Sequence, residues 1–144
     1  MKFWDSSAVA PLLIEEATTS SLRALHRSDP MILAWWCTRV ECISAVARLE
    51  REQKLSSTGM AAALTHLNNL ARSWNEIQPV EEIRETAGRF LRVHNLRAAD
   101  ALQLAAAFLA SERRPPTLEF VSLDDRLSAA AEREGFVLIP VAGR

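Results

Sequence analysis

Leu96-Arg97-Ala98-Ala99-Asp100-Ala101-Leu102-Gln103-Leu104-Ala105-Ala106-Ala107-Phe108-Leu109 is an almost unbroken run of helix-forming residues, rich in Ala and Leu. One carboxylate, Asp100, stands inside it. At helical spacing Asp100 shares a face with Leu104, Ala107 and Phe108, which is the apolar face. An ionised Asp on a core-facing stripe is costly unless it is paired or binds a metal. The helix is therefore expected to hold a carboxylate at the rim of the core, where other segments must meet it.

Downstream, the helix is expected to stop before Pro115-Pro116. Leu118 to Ser122 reads as a strand, Asp124-Asp125 begins a helix ending at Gly135, and Phe136 to Val141 is a further strand. Upstream, Pro79 opens a helix running to about Val93, and Trp74 to Gln78 reads as a weak strand. Ser56 or Ser57 caps a helix reaching about Ser73. Thr38 to Gln53 is a strong helix with Val40, Ile43, Val46, Ala47 and Leu49 on a broad apolar side. These two long helices are expected to form an antiparallel hairpin. Met31 to Trp35 is an apolar strand after the turn at Asp29-Pro30, and Thr18 to Arg27 is a short helix with Leu22 and Leu25 inward. The chain begins with a strand, Met1 to Trp4, followed by a helix from the cap-rich Asp5-Ser6-Ser7 to Glu15 or Glu16. Pro11 is expected to loosen or kink that helix. Strands alternating with helices predict an α/β fold, a three-layer α/β/α arrangement around a five-stranded parallel sheet. In such sheets, sites form beyond the carboxyl ends of the strands.

The 144 residues suit one domain spanning 1–144, long enough to bury roughly 68–70% of the unfolded surface. The net charge of −1 offers no global attraction to nucleic acid or anionic membrane, so a polyanionic substrate would need a local basic rim. No apolar run is long enough to span a bilayer, and the N-terminus lacks a signal-peptide core, so a cytoplasmic location with no membrane partner is expected. Cys37 and Cys42 point in different directions on a helix and read as small buried apolar residues, neither a disulfide nor a zinc site. His26, His66 and His94 are scattered and read as surface or boundary residues.

Four acids fall at one edge of the expected sheet. Asp5 ends the first strand, Glu41 lies in the first turns of the helix after the second, Asp100 starts its own helix, and Asp124 follows the fourth strand. Ser7 and Ser122 fall beside two of them, placed to orient carboxylates or water. Asp5 and Asp124 each read equally well as simple helix caps, and Glu41 as a first-turn acid favoured by the helix dipole. Convergence of all four is what capping does not require. Two like charges about 4 Å apart repel by roughly 1 kcal/mol in water and about 4 kcal/mol at an effective dielectric near 20. A hard divalent cation is the natural counter-ion, and Mg²⁺ or Mn²⁺ suits carboxylate-plus-water coordination.

Phe3-Trp4-Asp5-Ser6-Ser7-Ala8, Arg39-Val40-Glu41, Ala99-Asp100-Ala101-Leu102-Gln103-Leu104-Ala105 and Phe120-Val121-Ser122-Leu123-Asp124-Asp125-Arg126-Leu127, in that order, resemble a PIN domain. The length of the chain looks most like the VapC toxins of toxin–antitoxin pairs. The resemblance implies a Mg²⁺-dependent ribonuclease (Mn²⁺ substituting) that hydrolyses RNA in line and leaves a 5′-phosphate. It maps the acidic quartet onto Asp5, Glu41, Asp100 and Asp124 as catalytic metal ligands, with Asp124 preferred to the adjoining Asp125. It also implies a cognate VapB-like antitoxin and a homodimer. Arg39 and Arg97 are candidate RNA-binding residues, because each lies near a quartet acid; solvated or paired arginines are the alternative. Trp35-Trp36 reads either as a base-stacking platform or as packing. The helices from Thr18 to Ser73 are candidates to present a groove for an antitoxin helix or a second copy of the chain.

Two other acid-site families fit less well. A phosphoacceptor receiver domain wants an acidic pair near the first strand and a late lysine, whereas the only lysines are Lys2 and Lys54. A haloacid-dehalogenase-type phosphatase wants a second Asp two residues after Asp5, where Ser7 stands. The remaining alternative is a non-catalytic module whose acidic pocket docks a basic partner.

Overall fold

A computed structural model describes residues 1–144. In chain order the elements are β1 (Lys2–Trp4), α1 (Ser6–Leu13), α2 (Thr19–Ser28), β2 (Ile32–Trp35), α3 (Thr38–Arg51), α4 (Ser57–Ala71), β3 (Asn75–Ile77), α5 (Glu81–Val93), α6 (Ala98–Ala110), a 3-10 turn (Pro115–Thr117), β4 (Glu119–Val121), α7 (Asp125–Glu134) and β5 (Val137–Leu138). The five strands form one sheet in the order β3-β2-β1-β4-β5, every neighbouring pair parallel. The expected three-layer α/β/α fold with a five-stranded parallel sheet is the one observed.

The layers follow from the two-residue period of the strands. Phe3, Leu33, Trp35 and Phe120 point to one face, where Ile83 and Phe90 of α5, Leu104 of α6 and Leu127 of α7 cover them. Trp4, Ile32, Ala34 and Val121 point to the other, against Val9 and Leu12 of α1, Leu22 of α2, Cys42 and Val46 of α3, and Leu67 of α4. Strands sandwiched in this way are apolar on both sides, which is why β2 is buried at all four positions. Phe3 and Phe120, on neighbouring central strands, stack with centroids 5.0 Å apart.

Local signals set several boundaries. Ser56 caps α4 by accepting from the Gly59 N–H at 3.0 Å. Gly135 closes α7 at φ +98°, a left-handed conformation that a side chain would strain. Other expectations need correction. α1 runs through Pro11 but ends at Leu13, short of Glu15, and the freed Pro11 carbonyl accepts from Thr19 Oγ1 at 2.7 Å. β5 is two residues rather than six, because beyond Leu138 only the Ile139 N–H still reaches β4. α3 buries Thr38, Cys42 and Val46, whereas Val40 is 66% exposed and Ile43 also faces outward. Both faces of α3 carry apolar residues, so packing against α1 and α4 decided its rotation. His94 is buried, its Nε2 2.6 Å from Glu134 Oε1, where a boundary position was expected. Both cysteines are free; Cys42 is buried as expected, whereas Cys37, just before α3, is only half-buried. No helix is long and apolar enough to cross a membrane.

Candidate active site

Parallel strands all end on the same edge of the sheet, so whatever follows each strand gathers there. Asp5 follows β1 and Asp124 follows β4. Glu41 lies in the first turn of α3 and Asp100 in the first turn of α6. One cleft of about 290 Å³ is lined by Asp5, Ser6, Ser7, Glu41, Asp100 and Asp124 together. Glu16, Arg48, Ala10 and Ala45 complete its wall. The structure thus brings the four predicted acids to one place.

Asp5 is almost wholly buried. Burial pushes its carboxyl up to about 7, against the hydrogen bonds from Ser7 and Ser122 that favour the ionised form. Ser7 Oγ donates to Asp5 Oδ1 at 2.8 Å and accepts from the Leu123 N–H at 2.8 Å. That backbone donor occupies the hydroxyl's acceptor side and leaves its proton for Asp5. Ser122 Oγ lies 3.4 Å from Ser7 Oγ and accepts from the Asp124 N–H at 3.1 Å. The two serines therefore tie the end of β1 to the end of β4.

Glu41 accepts from Ser6 Oγ at 2.7 Å and from Gln103 Nε2, which is 3.3 Å from both carboxylate oxygens. Its pKa is raised, first by burial and then by the charge of Asp100; the Ser6 and Gln103 donors oppose the rise. Asp100 is raised by burial and then by Asp124. Asp124 also caps α7, its Oδ1 accepting from the Leu127 N–H at 2.7 Å. Asp124 therefore caps α7 and lines the cleft at once.

A second, outer cleft of about 410 Å³ shares Asp100 and Asp124 with the first and is lined also by Arg97, Ala99, Asp125 and Arg126. Asp125 lines only this outer cleft; it is highly exposed and paired with Arg144. Arg97 stands beside Asp100, while Arg39 donates to Asn68 of α4 and lines neither cleft. Trp35 is buried in the core and Trp36 is half exposed.

Several site residues were not recognised in the sequence. Arg48 follows Glu41 by two helical turns, and Gln103 follows Asp100 by three residues, so helical spacing alone could have flagged both. Ser6 adjoins Asp5. Glu16 had no signal, because it arrives from the loop after α1.

The donor set is carboxylate and hydroxyl oxygen, the chemistry that hard divalent cations take and zinc sites seldom rely on alone. Asp5, Glu41 and Asp100 have pKa values raised first by burial, and a neighbouring carboxylate adds to the rise in each. No three acid, histidine or cysteine side chains converge tightly enough to enclose a metal ion directly. Mg²⁺ keeps several waters and is commonly held by only one or two carboxylates. The spread-out acids thus fit a hydrated ion rather than a closed cage.

No family model matches the chain. Ribonuclease VapC45 of Mycobacterium tuberculosis is 29% identical over 141 residues, covering 96% of this chain and 94% of the relative. The crystal structure of Mycobacterium tuberculosis VapC20, a Sarcin-Ricin loop cleaving toxin, matches with a TM-score of 0.68 at 20% identity, covering 95% of this chain and 97% of that one. A toxin–antitoxin complex from Klebsiella pneumoniae matches with a TM-score of 0.59 at 21% identity, covering 90% and 91%. At those identities the structural likeness establishes the fold.

Proposed function

This chain is similar to a VapC ribonuclease along nearly its whole length and has the fold of a VapC toxin, and on that premise we propose that it is a Mg²⁺-dependent ribonuclease, the toxin of a toxin–antitoxin pair. The observation that carries the reading is the meeting of Asp5, Glu41, Asp100 and Asp124, from four separate elements, in one cleft. Asp5, Glu41, Asp100 and Asp124 would hold a hydrated Mg²⁺, in part through its waters, with Mn²⁺ able to substitute. When bound, the ion supplies an acidified water and stabilises charge on the scissile phosphate.

The chain's own residues do the rest. Ser7 and Ser6 orient Asp5 and Glu41, and Ser122 fixes the turn that presents Asp124. Arg48 in the acidic cleft, with Arg97 and Arg126 in the outer one, provides the local positive charge that a net charge of −1 withholds globally. None of these three forms an ion pair within the chain, so all are free to meet phosphates. Arg39, held by Asn68 away from both clefts, is a weaker candidate.

A small VapB-like antitoxin silences the enzyme by placing a basic side chain in the acidic cleft. The outward-facing apolar side chains Trp36, Val40 and Ile43 support self-association as a homodimer; a monomer mass in sedimentation at micromolar concentration would exclude it.

The deciding experiment is cleavage of RNA by purified protein. Activity is expected with Mg²⁺ or Mn²⁺, loss with EDTA, and silencing when the cognate antitoxin is added. Cleavage undiminished in EDTA, after contaminating nucleases are removed, would sink the metal mechanism. No cleavage with any divalent cation would leave the non-catalytic docking module as the better reading.

A further inference from the structure

Gln103 is a fully buried amide in a helix that is otherwise almost entirely Ala and Leu. Its side chain hydrogen-bonds to Thr38, equally buried, and to Glu41. Nε2 donates to Thr38 Oγ1 at 3.1 Å and lies 3.3 Å from each Glu41 oxygen, while Oε1 accepts from Thr38 Oγ1 at 3.4 Å. A buried amide is costly unless its donors are used, and a Met or Leu would fill this space without that cost. The amide's donor side is turned to the carboxylate.

Thr38 and Glu41 are three residues apart on α3, as Asp100 and Gln103 are on α6. The two helices thus meet through one polar contact. Its α6 side carries an acid at the rim and, one turn deeper, the donor that holds the acid of the other helix. Ser6 holds the same carboxylate from α1. Both donors are neutral. A Lys or Arg in either place would hold Glu41 equally well but would compete with a cation for its charge. An amide and a hydroxyl orient the carboxylate and leave the charge available.

We infer that Gln103 is a positioning residue of the metal centre: it fixes the Glu41 carboxylate against Asp100, so that cation affinity depends on a side chain that never touches the cation. The inference rests on the metal-centre reading above. Groups that orient a metal ligand typically change affinity ten- to a hundredfold when removed.

The test is Mn²⁺ binding, read by electron paramagnetic resonance without substrate, in wild type, Gln103→Met, Glu41→Gln and the double variant. Melting in EDTA is measured alongside. Gln103→Met is expected to weaken Mn²⁺ binding ten- to a hundredfold and to melt below wild type in EDTA, because it leaves the buried Thr38 hydroxyl and the Glu41 carboxylate without the amide donor. In the Glu41→Gln background the same change is expected to alter Mn²⁺ affinity less than twofold, because Gln103 acts through Glu41. Wild-type affinity in Gln103→Met, or a full additional loss in the double variant, overturns the inference. If Gln103→Met fails to fold, Thr38→Val takes its place: removing the hydroxyl that steadies the amide is expected to weaken binding three- to tenfold, and unchanged affinity overturns the inference. A wild-type chain that binds no Mn²⁺ overturns the metal-centre reading, and this inference with it. Wild-type binding with an unaffected Gln103→Met overturns this inference alone.

Discussion

Asp100→Asn is expected to lower RNA cleavage by roughly two orders of magnitude or more, the scale of losing one group that stabilises transition-state charge, while leaving the metal-free fold at least as stable as wild type. Asn keeps the size of Asp and an oxygen able to accept from the Arg97 backbone, which is the local hydrogen bond acting on this side chain. What it removes is a charge whose pKa is already raised by burial and by Asp124. Relief of that repulsion is worth about 1 kcal/mol at a half-exposed site. Excess Mg²⁺ at a hundred times its dissociation constant stabilises a native protein by about 2.7 kcal/mol, and the variant is expected to show much less of that gain. A residue that merely caps α6 behaves in the opposite way, because its loss destabilises the fold with or without metal. Thermal melts in EDTA and in excess Mg²⁺, set beside cleavage rates, separate the two. Reduced stability in EDTA together with retained cleavage would make Asp100 structural.

The second large effect is in the pH dependence of the metal-free fold. Native Asp5 holds its proton to about pH 7, whereas the ordinary value is 3.8. Between those limits the native state binds more protons than the unfolded state, so stability falls as pH rises. The full shift corresponds to about 4 kcal/mol, lost progressively from about pH 4 to pH 7. Glu41 and Asp100 are raised as well and add to the fall. Asp29, lowered mainly by its hydrogen bond to Lys2 and next by the one to the N-terminal amine, works in the opposite sense, with stability lost as pH drops below the ordinary carboxylate range. The two trends occupy different windows. Denaturation in EDTA from pH 4 to 8 is therefore expected to show declining stability for wild type and a clearly shallower decline for Asp5→Asn, whose amide oxygen still accepts from Ser7. Saturating Mg²⁺ is expected to flatten the wild-type decline, because a bound cation compensates the ionised carboxylates. A flat wild-type profile in EDTA would show that Asp5 ionises without penalty.

What the sequence determined by itself was what is local or periodic. Apolar stretches around Phe3, Leu33 and Phe120 are strands because both faces of a parallel sheet are buried, and Ser56, Asp124 and Gly135 mark helix ends through hydrogen bonds and backbone angles that span a few residues. Asp5, Glu41, Asp100 and Asp124 were legible for the same reason: each stands at a strand end or a helix start, and parallel strands deliver all such positions to one edge. Tertiary structure alone decided how the helices rotate and which distant segments close the site. α3 offers apolar residues on two sides, and only contact with α1 and α4 turned Cys42 and Val46 inward and left Val40 and Ile43 outside. Arg39 and Arg48 lie on that helix, and its rotation sent one to Asn68 and the other into the cleft. Gln103 looked like one more helix-forming residue because its partners, Thr38 and Glu41, are more than sixty positions away in the chain. Periodicity reports which residues share a face; which face meets which neighbour is settled by close packing between elements, and that information is not local.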